Sequence, residues 1–242
     1  MVLSPAWTRD ELILACDLVV QNDWRELRPG DRRVVELSDL LRSLPIHPPV
    51  TRPDSFRTAN SVSRKTTDIA TGRPGYVGKP TRGGKLDKIV LQDFLDAPAE
   101  MHAVAHVIRK AAAAGSFDDA VAAEAYAIDD VDSAREGRLI TALRTRRERD
   151  PKLRRKKIDE FLRDNDRVFC EVCNFDFEAA YGVRGKGYIE CHHVVPLHVS
   201  GETNTRTADL VLVCANCHRM IHQPPRWIQP NELRDLVMAH NR

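Results

Sequence analysis

The sequence predicts an α+β protein that is mainly α, with all its β content near the C-terminus. Three observations predict this. Apolar residues recur at helical spacing through most of residues 1–165. The two stretches that read as strands, 188–196 and 209–213, both lie after residue 166. In that same C-terminal stretch the composition changes, and cysteines, aromatics and histidines concentrate. The expected parts are an all-α N-terminal domain (1–115), a helical connector (116–165) and a small C-terminal domain (166–242).

The first helix is expected to start at Thr8. Thr8 with Glu11 three residues on makes a capping box, and Leu12, Ala15, Leu18 and Val19 form an apolar stripe. Trp7 and Trp24 flank it and are expected to anchor a small core. A second helix is expected over 36–44, stopped by Pro45 and the Pro48-Pro49 pair. A third is expected over 55–70, carrying Arg57, Ser61, Arg64 and Lys65. A Gly-rich basic loop follows, with Arg73, Tyr76, Lys79 and Arg82. A last helical stretch spans 88–114. In the connector, Leu139, Ile140 and Leu143, then Leu153, Ile158, Phe161 and Leu162, could pack against either neighbour.

The chain has 242 residues and a formal net charge of +2, so its overall charge says little about partners. The distribution says more. Residues 52–88 hold nine Lys and Arg against three Asp and Glu, and residues 144–157 are again strongly basic. Local basic stripes on a balanced protein suit a polyanion bound along one face, although a solvated surface would read the same way. Apolar runs such as 13–15 and 211–213 are far too short for a bilayer. No basic stretch followed by a long apolar one opens the chain. A cytoplasmic protein with reduced thiols is therefore expected, in which paired cysteines mean metal before disulfide.

Cys170-Glu171-Val172-Cys173 and Cys214-Ala215-Asn216-Cys217 are two CxxC pairs with forty residues between them. Each pair places two thiolates on one tight knuckle, and two knuckles make a closed S4 site for structural zinc. A redox motif would need only one pair and a thioredoxin-like context. Cys16 lies on the apolar side of the first helix, and Cys191 reads as a buried strand residue rather than a ligand.

Between the knuckles, residues 188–196 read as a strand ending in a turn at Pro196. Neighbouring strand residues point to opposite faces, so His192 and His193 cannot do the same job. Residues 209–213 read as a second strand and 217–222 as a short helix. His218 and His222, four apart, share one helical face. Two helical nitrogens and one strand nitrogen can thus converge on a single cation. Three imidazoles favour Zn2+, Ni2+, Co2+ or Mn2+, while Mg2+ would serve with water and phosphate completing its shell.

The order CxxC, then a strand with His192-His193, then Asp209-Leu-Val-Leu-Val-CxxC-His218-xxx-His222 resembles the HNH (ββα-metal) endonucleases over about residues 167–223. The resemblance implies that His192, His218 and His222 hold a catalytic divalent cation and that His193 is the general base. Asp209 stands where the family's name-giving Asn usually does, and a carboxylate there can still accept hydrogen bonds. Arg219, beside the ligands, is a candidate phosphate contact. His198 has no assigned role.

Farther upstream, residues 7–12, the Asn22-x-Trp24 pair and residues 55–62 resemble the N-terminal domain of McrA-type restriction endonucleases. That resemblance implies a type IV, modification-dependent restriction enzyme, whose helical domain reads modified (methylated) cytosine in double-stranded DNA. Arg57, Ser61, Arg64, Lys65, Arg73, Tyr76, Lys79 and Arg82 are then the candidate DNA contacts. Two other readings stay open: an HNH endonuclease directed to an unmodified site, as in mobile-element or phage enzymes, and a non-catalytic zinc-finger DNA-binding protein. A binding module needs only the cysteines, so the four histidines weigh against the last. A single HNH site nicks one strand, so double-strand cutting would call for a homodimer or two binding events.

Overall fold

Thr8 begins the first helix, as its spacing to Glu11 predicts. Thr8 is extended and α1 (Arg9–Gln21) follows, with the Thr8 N–H donating to Glu11 Oε2 at 2.8 Å. The burial of α1 differs from the expected stripe. Every residue from Arg9 to Val19 is buried, because α2 (Arg32–Ser43), α3 (Ala59–Gly72), α4 (Lys85–Asp96) and α5 (Pro98–Ala113) all pack on it. The helix is the axis of its unit rather than one of its walls. The computed structural model describes residues 3–127, 137–148, 150–194, 206–223 and 228–240. Among these, no helix is long and apolar enough to cross a membrane.

A helix buried from Arg9 to Val19 that carries three acids must satisfy each of them. Asp17 accepts from Arg109 at 3.1 Å and lies 2.5 Å from His102 Nδ1. Asp10 accepts the N–H groups of Arg138 and Leu139 at 2.9 and 3.0 Å. Those donors open α7 (Arg138–Glu148). Gly137, at φ +87°, approaches Asp10 so closely that a Cβ there would lie 2.4 Å from Oδ1. Glu11 is held by Arg57, whose Nε and Nη2 donate to the two carboxylate oxygens at 2.6 and 2.7 Å.

Helix boundaries moved where caps outweigh the apolar pattern. Asp31 caps α2, accepting from the Arg33 N–H, and starts it before the expected residue 36. Thr58 caps α3, and residues 54–57 form a turn instead of its first coil. The stretch expected over 88–114 is two helices. Pro98, which has no N–H to continue α4, begins α5.

The connector expected over 116–165 is not one piece. The chain divides into units 1–143 and 144–242. Helix α6 (Asp119–Ala127) and the start of α7 belong to the first, with Val121, Ala125, Leu139 and Ile140 buried. Helix α8 (Pro151–Phe161) belongs to the second, where Ile158 and Phe161 pack on the core.

In the second unit, β1 (Glu190–His193) pairs antiparallel with β2 (Leu210–Val213), so that His192 faces Val211 and His193 faces Leu210. α9 (Phe177–Tyr181) precedes the strands; α10 (Ala215–Ile221) and α11 (Pro230–His240) follow. The core is Cys170, Val172, Ile189, Cys191, Leu212, Val213 and Ile221, with Leu233 from α11. Cys191 is 2% exposed, a core strand residue as expected. The Pro196 turn and His198 fall outside the described residues.

Arg57→Met should destabilise the N-terminal unit by about 3–5 kcal/mol, the usual cost of removing one partner from a buried ion pair. Burial would raise the Glu11 pKa, but hydrogen bonds from His47 and Arg57 and the Arg57 charge outweigh it and hold it below 4.5. A depressed carboxylate stabilises the fold above its unfolded value and ceases to as pH falls through the folded one. The unit should therefore lose stability with acidification below pH 4.5, and Glu11→Gln should flatten that loss in urea melts measured across pH.

Candidate active site and metal centres

Two knuckles bring four cysteines together. In the first, the Cys170 N–H donates to the Phe175 carbonyl at 2.9 Å and the Asn174 N–H to the Cys170 carbonyl at 2.8 Å. Asn174, at φ 61°, makes the reversal. In the second, Cys214 caps α10, its Sγ accepting from the Cys217 N–H at 3.4 Å. The sulfurs of Cys170, Cys173, Cys214 and Cys217 all lie within 4.8 Å of one another, and Cys173 and Cys214 are 3.7 Å apart. Zinc–sulfur bonds of about 2.3 Å set a tetrahedral S···S edge of about 3.8 Å. The residues present fit structural zinc.

The thiol acidities diverge within the cluster. Burial opposes ionisation of Cys170, yet N–H groups of Cys214, Cys173 and Val172 outweigh it and lower its pKa. Burial pushes Cys173 up to about 11. Cys217 is also raised, by burial first and then by the charge of Cys170. Four crowded thiolates repel one another, and a cation at their centre removes the repulsion.

The second centre grows from β1 and α10. His192, on β1, is fully buried; His218 and His222 occupy successive turns at the end of α10. Their rings stand 5.2, 4.9 and 5.1 Å apart, and one nitrogen from each lies within 4.8 Å of the others. This donor set fits a divalent transition ion that leaves positions open for water and substrate. His193 lies on the opposite strand face and is 2% exposed. It is not one of the three converging rings, in keeping with the alternation of side chains along a strand.

One residue of this centre was missed. Glu190 Oε2 lies 2.7 Å from His218 Nδ1. A carboxylate on one ring nitrogen fixes the imidazole and leaves Nε2 for a cation. The signal was present in the alternation itself, which puts Glu190 and His192 on one face of β1. Glu190→Gln should weaken cation binding at this centre about 10- to 100-fold without unfolding the unit, as measured by calorimetric titration of Mn2+ into zinc-loaded protein.

Asp209 closes a 3-10 turn, Thr207–Asp209. Its Oδ2 accepts from the Arg206 N–H at 3.0 Å, and its carbonyl accepts from the Val194 N–H at 2.9 Å. Both bonds brace the chain beside His193.

Of the expected DNA contacts, two are redirected inward. Arg57 is 1% exposed. It is bound to Glu11, donates to the Pro5 and Ala6 carbonyls, and stacks 4.3 Å from the Trp7 ring centre. Lys65 is held between Asp87 at 2.7 Å and Asp68 at 3.7 Å. A cation reads the same in sequence whichever way its side chain turns, so only packing separated these two from a surface stripe. Ser61 is half-buried in the first turn of α3, while Arg64, Lys79 and Arg82 are exposed. Arg73 sits 5.9 Å over the Trp24 ring. Tyr76, 40% exposed, and Arg73 border a cavity of about 330 Å3 with Thr71, Thr81, Asp68 and Asp87. Arg219 is exposed on α10 beside His218.

Residues 170–223 match the family described as HNH endonuclease. That span includes both cysteine knuckles, both strands and the three converging histidines. No curated protein and no solved structure matches the chain.

Proposed function

We propose that this chain hydrolyses phosphodiester bonds in double-stranded DNA by a one-metal HNH mechanism, with His193 as general base. The observation that carries the reading is that, of two adjacent histidines on β1, one joins the histidine cluster and the other does not. His192 joins His218 and His222 in one cluster, and His193, the next residue, is outside that cluster, as side-chain alternation along a strand leads one to expect. Neutral His193 takes a proton from the attacking water, which adds to phosphorus in line with the departing 3′ oxygen. When bound, the divalent ion offsets charge on the phosphate and on that oxygen. Glu190 keeps the His218 ring in place. Asp209 braces the loop beside the base, and exposed Arg219 pairs with a neighbouring phosphate. The products are 5′-phosphate and 3′-hydroxyl ends.

Target choice is assigned to the N-terminal helical unit, and the target is DNA carrying modified cytosine. Exposed Arg64, Lys79 and Arg82 supply phosphate affinity. Half-exposed Tyr76, on the rim of a cavity, supplies an apolar contact of the kind that senses a 5-methyl group. The test is cleavage of matched plasmids with and without cytosine methylation, each with Mn2+ and Mg2+. The methylated plasmid should be cut at least ten times faster. Equal cutting would remove the modification reading and favour an endonuclease directed to an unmodified site. No cutting of either would remove the nuclease reading.

A further inference from the structure

We propose that the exposed face of α8 is a duplex-DNA backbone contact built into the nuclease unit, independent of the N-terminal recognition residues. The proposal rests on the reading of this unit as a DNA nuclease. Helix α8 has two unlike faces. Lys152, Arg155 and Lys156, at i, i+3 and i+4, are exposed and share one side. Leu153, Arg154, Lys157, Ile158 and Phe161 are half-buried on the other.

The half-buried side is pinned to the catalytic element. Ile158 and Phe161 pack on the core, and Phe161 meets Phe169 edge-on at 5.1 Å. The Arg154 guanidinium donates to the Ile189 carbonyl at 2.9 Å and the Gly187 carbonyl at 3.0 Å, immediately before β1. Helix α8 also touches β2 and the Thr207–Asp209 turn. The three cations are therefore held at a fixed place relative to His193, unlike charges on a loose surface segment. Lys186, exposed on the segment that Arg154 grips, adds to the same sign of charge.

Folding rewards this arrangement only in part: Asp159 and Glu160, also exposed, stand four residues after Arg155 and Lys156, where opposite charges support the helix, but no acid precedes the three cations within it. Lys152 and Lys156 are like charges four residues apart, which disfavours a helix. Cations in the first turns also oppose the helix dipole, and here only Asp150 caps the N-terminus, accepting from the Lys152 and Leu153 N–H groups. A polyanion that bridges Lys152, Arg155 and Lys156 turns that repulsion into attraction. Duplex DNA, the substrate proposed for the neighbouring site, presents such a row of phosphates. The contact holds the duplex on the nuclease unit while the chemistry occurs elsewhere, so it acts on KM and not on kcat.

The test uses the full chain. Affinity for a 30-base-pair duplex is measured against salt concentration in a His193→Ala background, so that DNA is not cut. The triple variant Lys152→Gln, Arg155→Gln, Lys156→Gln should lose about 0.9 of the log–log salt slope for each phosphate no longer neutralised, about 2.7 at most. With His193 restored, KM should rise about tenfold at constant kcat. The gain variant Asp159→Lys, Glu160→Lys extends the positive face by one turn and should steepen the slope, a result that misfolding does not mimic. An unmoved slope in both variants would overturn the proposal. Cleavage is read separately: a protein that cuts DNA with an unmoved slope loses only the α8 contact, whereas one whose slope falls but that never cuts keeps the contact and loses the nuclease reading.

Discussion

Replacing His193 with alanine is expected to lower the cleavage rate by about 10²- to 10⁴-fold, the usual worth of a positioned general base. DNA affinity and bound metal should stay at the parent level. The split between rate and binding follows from the strand. Side chains alternate across β1, so His193 and His192 leave it on opposite faces, and only His192 belongs to the cluster with His218 and His222. His192→Ala should instead weaken the second metal centre and the rate together. His193 is buried, so its removal also leaves a small cavity; thermal melting of the variant separates that cost from lost chemistry. Single-turnover cleavage with saturating Mn2+ is the measurement. A His193→Ala protein that cuts at the parent rate would remove the assignment of the base.

The second large effect is structural. Cys170→Ser should unfold the C-terminal unit and release the zinc proposed for its cysteine centre, leaving the N-terminal unit folded. Serine nearly preserves the shape of cysteine, so the loss is one of ligand chemistry rather than packing. Structural zinc contributes on the order of 10 kcal/mol to folding, and a core of some dozen residues around two four-residue strands cannot replace that amount. The N-terminal unit has its own core around α1 and holds no part of the cysteine centre. Expected readouts are one zinc fewer per chain, rapid proteolysis beyond residue 144 and a surviving melting transition of the helical unit. A Cys170→Ser protein that resists proteolysis throughout and still cuts DNA would overturn the role given to the knuckles.

What could be read from the chain and what could not divide along a physical line. The capping box at Thr8, the two CxxC knuckles, the strand with adjacent histidines and the His218–His222 spacing are local patterns. Each is fixed by bond geometry within a few residues, and each forms, although the strand expected from residue 188 is confined to Glu190–His193 among the described residues. Glu190 obeyed the same local rule as His192 and was within reach of the reading. Other features were not legible. Whether α1 would be a wall or an axis depended on how many helices surround it. Where the connector would divide depended on Asp10 capping α7 and Arg154 gripping the residues before β1, contacts across 128 and 35 positions of sequence.

Sequence by itself determined the helical and ββα character of the two halves, the cysteine staple and the opposed pair of histidines, because short-range periodicity and ligand spacing encode these. Tertiary structure alone decided which cations face solvent. Arg57 and Lys65 turn inward because buried Glu11 and Asp87 must be neutralised; Lys152, Arg155 and Lys156 stay outside because the other side of their helix is committed to the core. A charge carries no mark of its partner until the chain is packed around it.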